Sequence, residues 1–306
     1  MKAGGILGLT RALPKHEVTK MTNPVDQPLD GELSAAAQAV GSRLAGAAPL
    51  GVAFSGGVDS SVLLALAVRA LGADQVVAIL GVSPSLGSDE RLAAHQVAAA
   101  VGARIVEVQT READNPAYRA NGPDRCFHCK NELFTRIEDE VAGAYGLAAV
   151  AYGENADDMM RPDRPGSRAA SNHRVLRPLA DAGLDKAAVR AIARTLQLPS
   201  ADKPAAPCLA SRIPHYQQVS EAKLAQIEAA EKALRALGFA ESRVRHHGEV
   251  ARIELPAGEL VRAVSAPARE QIHAAITAAG FRFVAVDLLG VQSGAFTMSL
   301  LPVTRD

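Results

Sequence analysis

The sequence predicts an α/β fold with a mostly parallel sheet and helices on both faces, followed by a small C-terminal α+β domain. Between residue 50 and about residue 196, short segments rich in Val, Ile and Ala alternate with longer helical segments, which is typical of βαβ units. Four prolines then fall between 199 and 214, where they oppose regular structure. We therefore predict a loose leader (1–31), an α/β domain (32–198), and a linker with a small α+β domain (199–306).

The elements of the α/β domain follow from local signals. Apolar residues at helical spacing predict helices, and short apolar runs predict strands. Gly72 and Gly102 mark helix ends, and Ser88 is predicted to cap the helix that it precedes. In chain order, the predicted elements are a helix over 32–45, a strand over 50–54, a helix over 62–71, a strand over 76–80, a helix over 88–101, a strand over 105–108, a helix over 131–145, strands over 148–152 and 175–179, and a helix over 186–196.

The same signals continue after the proline-rich segment. They predict a helix over 220–237, strands over 243–246 and 251–255, a helix over 267–279 and a strand over 283–288. These elements form the predicted α+β domain.

Composition narrows the class of protein. Lysine plus arginine equals aspartate plus glutamate at 33 each, so there is no broad positive footprint for nucleic acid. No apolar run approaches the ~20 residues needed to cross a membrane, and the start of the chain lacks the apolar segment of a secretory signal. The three cysteines are an odd number. We therefore expect a reduced, cytoplasmic protein in which clustered cysteines bind metal or take part in catalysis.

A glycine-rich turn lies between the predicted strand 50–54 and the apolar helix that follows. Its glycines allow a close approach of the backbone to a ligand, and amides at the helix start favour an anion. No lysine follows the glycines, so the turn is not a Walker A loop. The alternatives are a structural turn with a serine cap, and an acidic residue that only complements the helix dipole. The residues of this turn are Ser55, Gly56, Gly57, Val58, Asp59, Ser60 and Ser61.

This turn resembles the S-G-G-x-D-S signature of the PP-loop ATP-pyrophosphatases, whose fold is that of the adenine nucleotide alpha-hydrolases. The resemblance implies that residues 55–61 hold the pyrophosphate of ATP and that Asp59 lies near its Mg²⁺. A second acidic cluster follows the predicted strand 148–152, at an edge where parallel sheets bind ligands. There Gly153, Asp157 and Asp158 are candidates for binding ATP or Mg²⁺, the alternative being a solvated turn that caps a helix.

The cysteines form a C-x-x-C pair, Cys126 and Cys129, and a distant Cys208. The pair fits half of a zinc site with His128 or a redox couple, and Cys208 fits a buried small residue. Three cysteines also suffice to ligate a [4Fe–4S] cluster with one open iron.

Three features together resemble the LarE family of ATP-dependent sulfur transferases, which act in the synthesis of a nickel-pincer cofactor. They are the 55–61 turn, the C-x-x-C-K run that ends at Lys130, and the Cys-Leu-Ala-Ser-Arg-Ile-Pro run that begins at Cys208. The resemblance covers 32–294. It implies that a carboxylate of pyridinium-3,5-biscarboxylic acid mononucleotide is adenylated and becomes a thiocarboxylate.

The three-cysteine pattern is that of members with a [4Fe–4S] cluster, whereas in other members the cysteine matching Cys208 gives up its own sulfur. A sulfide source and a homo-oligomer, a hexamer in the family, are implied as partners. The segment 291–294 reads Val-Gln-Ser-Gly where the resemblance implies a Tyr-Arg-Ser-Gly-like run. We therefore expect an arginine contact near the site to be missing.

The substrate residues are expected in the C-terminal part. Arg243 and Arg245 alternate on a predicted strand and thus share one face, which suits a phosphate; solvated edge-strand charges are the alternative. The resemblance implies further substrate residues. For the two glutamates among them, the alternative is that they are acids on the surface without a role in binding. These further residues are Ser211, Arg212, Glu231 and Glu254.

Two other functions are compatible with the sequence. One is a PP-loop tRNA thiolase with a cluster; such enzymes usually carry zinc-ribbon cysteines or an RNA-binding domain, whereas this chain has no spare cysteines and no net positive charge. A non-catalytic nucleotide-binding module would leave the three cysteines, Arg243 and Arg245 without a role.

Overall fold

The computed structural model describes residues 23–160, 165–204 and 207–292. Most of the predicted leader lies outside these ranges, as do Ser293 and Gly294 of the atypical tail. No helix within the described ranges is long and apolar enough to cross a membrane.

A four-stranded parallel sheet forms the N-terminal part and confirms the predicted α/β class. Its spatial order is β3-β2-β1-β4, and β1 lies in the middle with β2 and β4 as neighbours. The carboxyl ends of β1 and β4 therefore lie side by side, where ligands of parallel sheets bind. The strands are β1 (Leu50–Ala53), β2 (Val76–Val82), β3 (Arg104–Gln109) and β4 (Ala149–Tyr152).

Helices cover both faces of this sheet. On one face, apolar side chains of the first three helices and of α10 pack against alternate residues of β2, such as Ala78 and Leu80. On the other face, Phe134 and Ile137 pack against Ile79. The helices are α1 (Gly31–Leu44), α2 (Val58–Leu71), α3 (Ser88–Val101), α4 (Pro116–Arg119), α5 (Arg125–Arg136), α6 (Gly143–Tyr145), α7 (Ala156–Met159), α8 (Pro165–Asn172), α9 (Pro178–Asp181) and α10 (Lys186–Thr195). A π-helical segment, Ile137–Ala142, joins α5 to α6.

Two of the predicted helix starts and one predicted cap are wrong. Helix α2 begins at Val58 rather than at residue 62, so the second half of the glycine-rich turn forms its first helical turn. Helix α5 begins at Arg125 rather than at residue 131, so the C-x-x-C pair is helical. Ser88 is the first residue of α3 and Gly87 is the residue before it, so Ser88 is not the cap.

The predicted strand over 175–179 is also wrong. Leu176 makes only an isolated bridge with Ala151, because Pro178 starts a short helix and proline at a first helical position favours that outcome.

The C-terminal part contains a separate three-stranded mixed sheet. Strand β6 pairs antiparallel with β5 and parallel with β7, and helices cover it around Leu234, Val244 and Ile276. Helix α12 was not predicted. The elements are α11 (Glu221–Ala236), β5 (Arg243–His247), β6 (Val250–Glu254), α12 (Leu260–Val264), α13 (Ala268–Ala278) and β7 (Phe283–Val286). The domain boundary after Leu198 stays a prediction.

Candidate active site

A cavity of about 840 Å³ lies between the parallel sheet and the C-terminal sheet. This volume is in the range of pockets that enclose small molecules. Its lining joins the glycine-rich turn, the first turn of α3, the start of α10, the segment around Cys208 and strand β5. The residues that line it include Ser55, Gly57, Asp59, Arg125, Lys186, Cys208, Ser211, Arg212, Glu231, Arg243 and Arg245.

The glycine-rich turn needs a glycine at position 56. Gly56 has a φ of 69°, and an added Cβ would lie 2.8 Å from the Cα of Ala94. Gly57 is different, because an added Cβ there would meet only the Ser55 hydroxyl, at 3.4 Å. Gly56 therefore lets the turn pack on α3, whereas Gly57 faces the cavity.

The serine hydroxyls shape the turn from within. The hydroxyls of Ser60 and Ser61 donate to the Gly57 carbonyl at 3.0 and 2.8 Å, and both side chains are buried. The Ser55 amide donates to the Ser60 hydroxyl at 3.3 Å. These contacts hold the start of α2 open toward the cavity, so Ser60 and Ser61 act on the loop's shape.

Asp59 lies in the first turn of α2 and has two partners from distant parts of the chain. Its Oδ2 accepts from Lys186 Nζ at 2.5 Å and its Oδ1 accepts from Asn155 Nδ2 at 2.9 Å. Lys186 was not among the site residues predicted from the sequence. A signal was present, because a cation in the first turn of a helix opposes the helix dipole and so indicates an external partner.

The second acidic cluster adjoins the turn through Gly153 and Asn155. An added Cβ at Gly153 would lie 2.6 Å from the Ser60 nitrogen, so only glycine lets the end of β4 pass so near α2. Asp157 accepts from the Lys186 amide at 2.9 Å, and the Asp158 amide donates to Asn155 at 3.0 Å. Within the described ranges, the cavity lining includes Asp59 but neither Asp157 nor Asp158.

All three cysteines are free, and Cys129 on α5 packs against the apolar cluster that contains Leu209, the residue after Cys208. Burial raises the pKa of Cys129 well above its usual value, and the Glu112 carboxylate, Cys208 and Cys126 raise it further. Cys208 is exposed on the cavity wall; the protein atoms around it raise its pKa by desolvation, with Arg125 opposing this effect and Cys126 adding to it. In the part of the chain that the structure describes, no three His, Cys, Asp or Glu side chains are arranged to hold a metal ion.

Two buried arginine–glutamate pairs form the wall of the cavity near Cys208. Arg212 donates to both oxygens of Glu231, at 2.8 and 3.2 Å, and Arg245 donates to both oxygens of Glu254, at 2.9 and 2.8 Å. The surface-acid alternative is thus wrong for both glutamates, and the solvated-charge alternative is wrong for Arg245. Arg212 also donates to the Ser211 hydroxyl, at 2.9 Å.

Arg243 differs from these arginines. It is half-buried, lines the cavity and donates to the carbonyl of Gln292 at 2.8 Å. Burial lowers the pKa of Arg243, and the nearby positive charges of Arg212 and Arg245 lower it further. A bound anion at this place would relieve that repulsion.

Comparison with known proteins gives consistent matches. The asparagine synthase family model matches residues 33–129. The chain is 34% identical over 253 residues to the pyridinium-3,5-bisthiocarboxylic acid mononucleotide synthase of Lactiplantibacillus plantarum, covering 81% of this chain and 89% of that protein. It is 40% identical over 243 residues to an uncharacterized protein of a Synechocystis strain, covering 79% of this chain and 90% of that protein.

Proposed function

This chain belongs to the LarE family of ATP-dependent sulfurtransferases with a PP-loop, and from this we propose that it converts a carboxylate of pyridinium-3,5-biscarboxylic acid mononucleotide into a thiocarboxylate. As a member of an enzyme family, it is not the non-catalytic nucleotide-binding module of the alternative interpretation. The observation that carries the proposal is one cavity that joins the PP-loop, Cys208 and Arg243.

The PP-loop side of the cavity is the proposed ATP site. The start of α2 borders the cavity at Val58 and Asp59, and a helix start favours the pyrophosphate. Asp59 would bind Mg²⁺, and Lys186 would then turn from Asp59 to a phosphate oxygen. Gly153 supports the loop by close packing, and Asp157 orients the start of α10 through the Lys186 amide.

The chemistry proceeds in two displacements. A carboxylate oxygen of the nucleotide attacks the α-phosphorus of ATP, the new C–O–P bond forms and pyrophosphate leaves. A sulfur nucleophile then attacks the acyl carbon, a C–S bond forms and the C–O bond to AMP breaks. Adenylation is needed because a carboxylate oxygen is a poor leaving group, whereas AMP is a good one.

The opposite wall is the proposed site of the nucleotide phosphate. Arg243 lines the cavity, and burial together with the positive charges of Arg212 and Arg245 lowers its pKa, so a phosphate bound at this place would be stabilised. Arg245 and Arg212 already hold Glu254 and Glu231. They therefore shape this wall and contribute positive potential to it. The main contact with the phosphate is made by Arg243.

We propose that the three cysteines are the site of sulfur delivery. Cys126, Cys129 and Cys208 would hold the [4Fe–4S] cluster that the family resemblance implies. Their donor chemistry fits, since they are three free thiols and cysteine is the usual ligand of such clusters; the buried Oε2 of Glu112 has no hydrogen-bond partner among the described residues. When bound, such a cluster supplies an iron that carries exchangeable sulfide. A sacrificial Cys208 is the alternative source.

The test is ATP-dependent pyrophosphate release with the purified protein. We expect release only when the biscarboxylate nucleotide is present, and loss of release in Gly57→Val. Equal release without the nucleotide would contradict adenylation of this substrate. The cytoplasmic location and the homo-oligomer stay predictions.

A further inference from the structure

The cysteines come from two segments that are far apart in sequence, and a buried arginine joins these segments. Arg125 is the first residue of α5 and precedes Cys126. Its Nη1 donates to the side-chain oxygen of Asn121 at 2.5 Å and to the carbonyl of Ala210 at 3.0 Å. Ala210 lies two residues after Cys208, so this contact fixes the Cys208 segment against the start of α5.

Asn121 extends the same connection. It is fully buried and has a positive φ of 57°, which is uncommon for a residue other than glycine. Its side-chain nitrogen donates to the carbonyls of Ile213, Pro214 and Gln217 at 3.2, 2.8 and 3.0 Å. Together, Arg125 and Asn121 form what we call the Arg125–Asn121 bracket, which holds the chain from 210 to 217.

Arg125 also faces the thiols. It directly precedes Cys126 in the first turn of α5 and is buried there, so it lies next to the C-x-x-C pair. Arg125 lines the cavity beside Cys208. One side chain therefore holds the Cys208 segment through the Ala210 carbonyl and lies beside the cysteines of both segments.

We infer that Arg125 is a positioning residue for sulfur transfer, which holds Cys208 and the cysteines of α5 in one array. The inference rests on the proposed function, because it assigns the array to sulfur delivery. Arginine suits this task because its planar guanidinium offers five donors in a fixed arrangement, whereas lysine offers a single mobile point charge. Arg125→Lys thus keeps the charge and loses the geometry.

The test measures thiol proximity in the protein stripped of metal. The chain is treated with limiting diamide under anaerobic conditions, digested with trypsin and analysed by mass spectrometry for a disulfide between Cys208 and the 126–130 peptide. We expect this disulfide to form readily in the wild type and roughly tenfold more slowly in Arg125→Lys, since misplacement by ~1 Å slows reactions by that order or more.

Arg119→Lys is the matched control, because the Arg119 side chain donates to the carbonyl of Ala113 at 3.2 Å, and its backbone contact with Val219 is kept in the lysine variant. We expect its rate to equal that of the wild type. Absence of any Cys208 disulfide in the wild type, or equal rates in Arg125→Lys and Arg119→Lys, would overturn the inference. If Arg125→Lys does not fold, Asn121→Asp removes the donors of the bracket's other half, and an unchanged rate in that variant overturns it as well.

Measurements of enzyme activity distinguish a failure of this inference from a failure of the proposed function. With sulfur transfer established in the wild type, Arg125→Lys should lower kcat for thiocarboxylate formation and leave the KM for ATP and for the nucleotide unchanged. Normal kcat in Arg125→Lys would remove the positioning role while sulfur transfer stands. No transfer in the wild type, together with the expected disulfide pattern, would instead remove the proposed function.

Discussion

Lys186, the first residue of α10, places its Nζ 2.5 Å from Oδ2 of Asp59 in the first turn of α2. The pair joins two helix starts at the edge of the cavity, each of which already favours an anion. The lysine is therefore held where the phosphates of ATP would bind.

Replacement of Lys186 by methionine should weaken ATP binding by ~1.5–3 kcal/mol, the usual range for a charged hydrogen bond. Isothermal titration with ATP and Mg²⁺ measures this. Lys232→Met is the control, since Lys232 is exposed on α11 and should not affect affinity. Equal affinities for the two variants would remove Lys186 from the ATP site.

Substitution of the two glycines of the PP-loop should impair different properties, ATP binding in one case and stability in the other. Gly57→Val should fold and lose ATP binding, because its side chain would enter the cavity without a backbone clash. Gly56→Ala should lose stability by ~1–3 kcal/mol, because of its positive φ and the approach to Ala94. Thermal melting and ATP titration of both variants separate the outcomes. A stable Gly57→Val with normal ATP affinity is the contradicting result.

Replacement of the two arginines of β5 should have different effects, one on substrate binding and the other on stability. Arg243→Ala should weaken binding of the substrate nucleotide by ~1.5–3 kcal/mol and leave stability unchanged. Arg245→Ala should destabilise the fold by ~1.5–3 kcal/mol, because the fully buried Glu254 loses its bidentate partner and keeps only Arg252, at 3.3 Å. Urea unfolding and nucleotide titration measure the two effects. Equal loss of stability in both variants would contradict the assignment.

Stability should depend on pH through Glu107 on β3. Hydrogen bonds from Arg91, and then from His95, lower the pKa of Glu107 from 4.5 to about 2. A lowered folded-state pKa means that the stabilisation is present above pH 4.5 and is lost as the pH falls toward 2. Glu107→Gln should cost ~1 kcal/mol at pH 7, since Arg91 is half-exposed and solvent screens the pair. The difference in unfolding free energy from the wild type should shrink steadily between pH 4.5 and 2; a difference that does not change with pH would contradict it.

The sequence was sufficient for the parallel sheet and for the PP-loop, because both are local patterns. It was not sufficient for the partners of Arg212 and Arg245, whose glutamates lie 19 and 9 residues away and become buried only in the fold. Lys186 and Arg125 were missed for the same reason, since their roles come from contacts with Asp59 and Ala210. The helical start of α5 was missed because Cys-Phe-His-Cys-Lys has no apolar periodicity of its own.

The central claim is that this chain exchanges a carboxylate oxygen for sulfur at the expense of ATP. A single-turnover reaction under anaerobic conditions, with the biscarboxylate nucleotide, ATP, Mg²⁺ and sulfide, tests it by mass spectrometry of the nucleotide and of the protein. We expect a nucleotide in which one oxygen is replaced by sulfur, one AMP per product and three intact cysteines. Loss of the mass of H₂S at Cys208 would assign the sulfur to that residue instead of the cluster. AMP release with an unchanged nucleotide mass would contradict sulfur transfer itself.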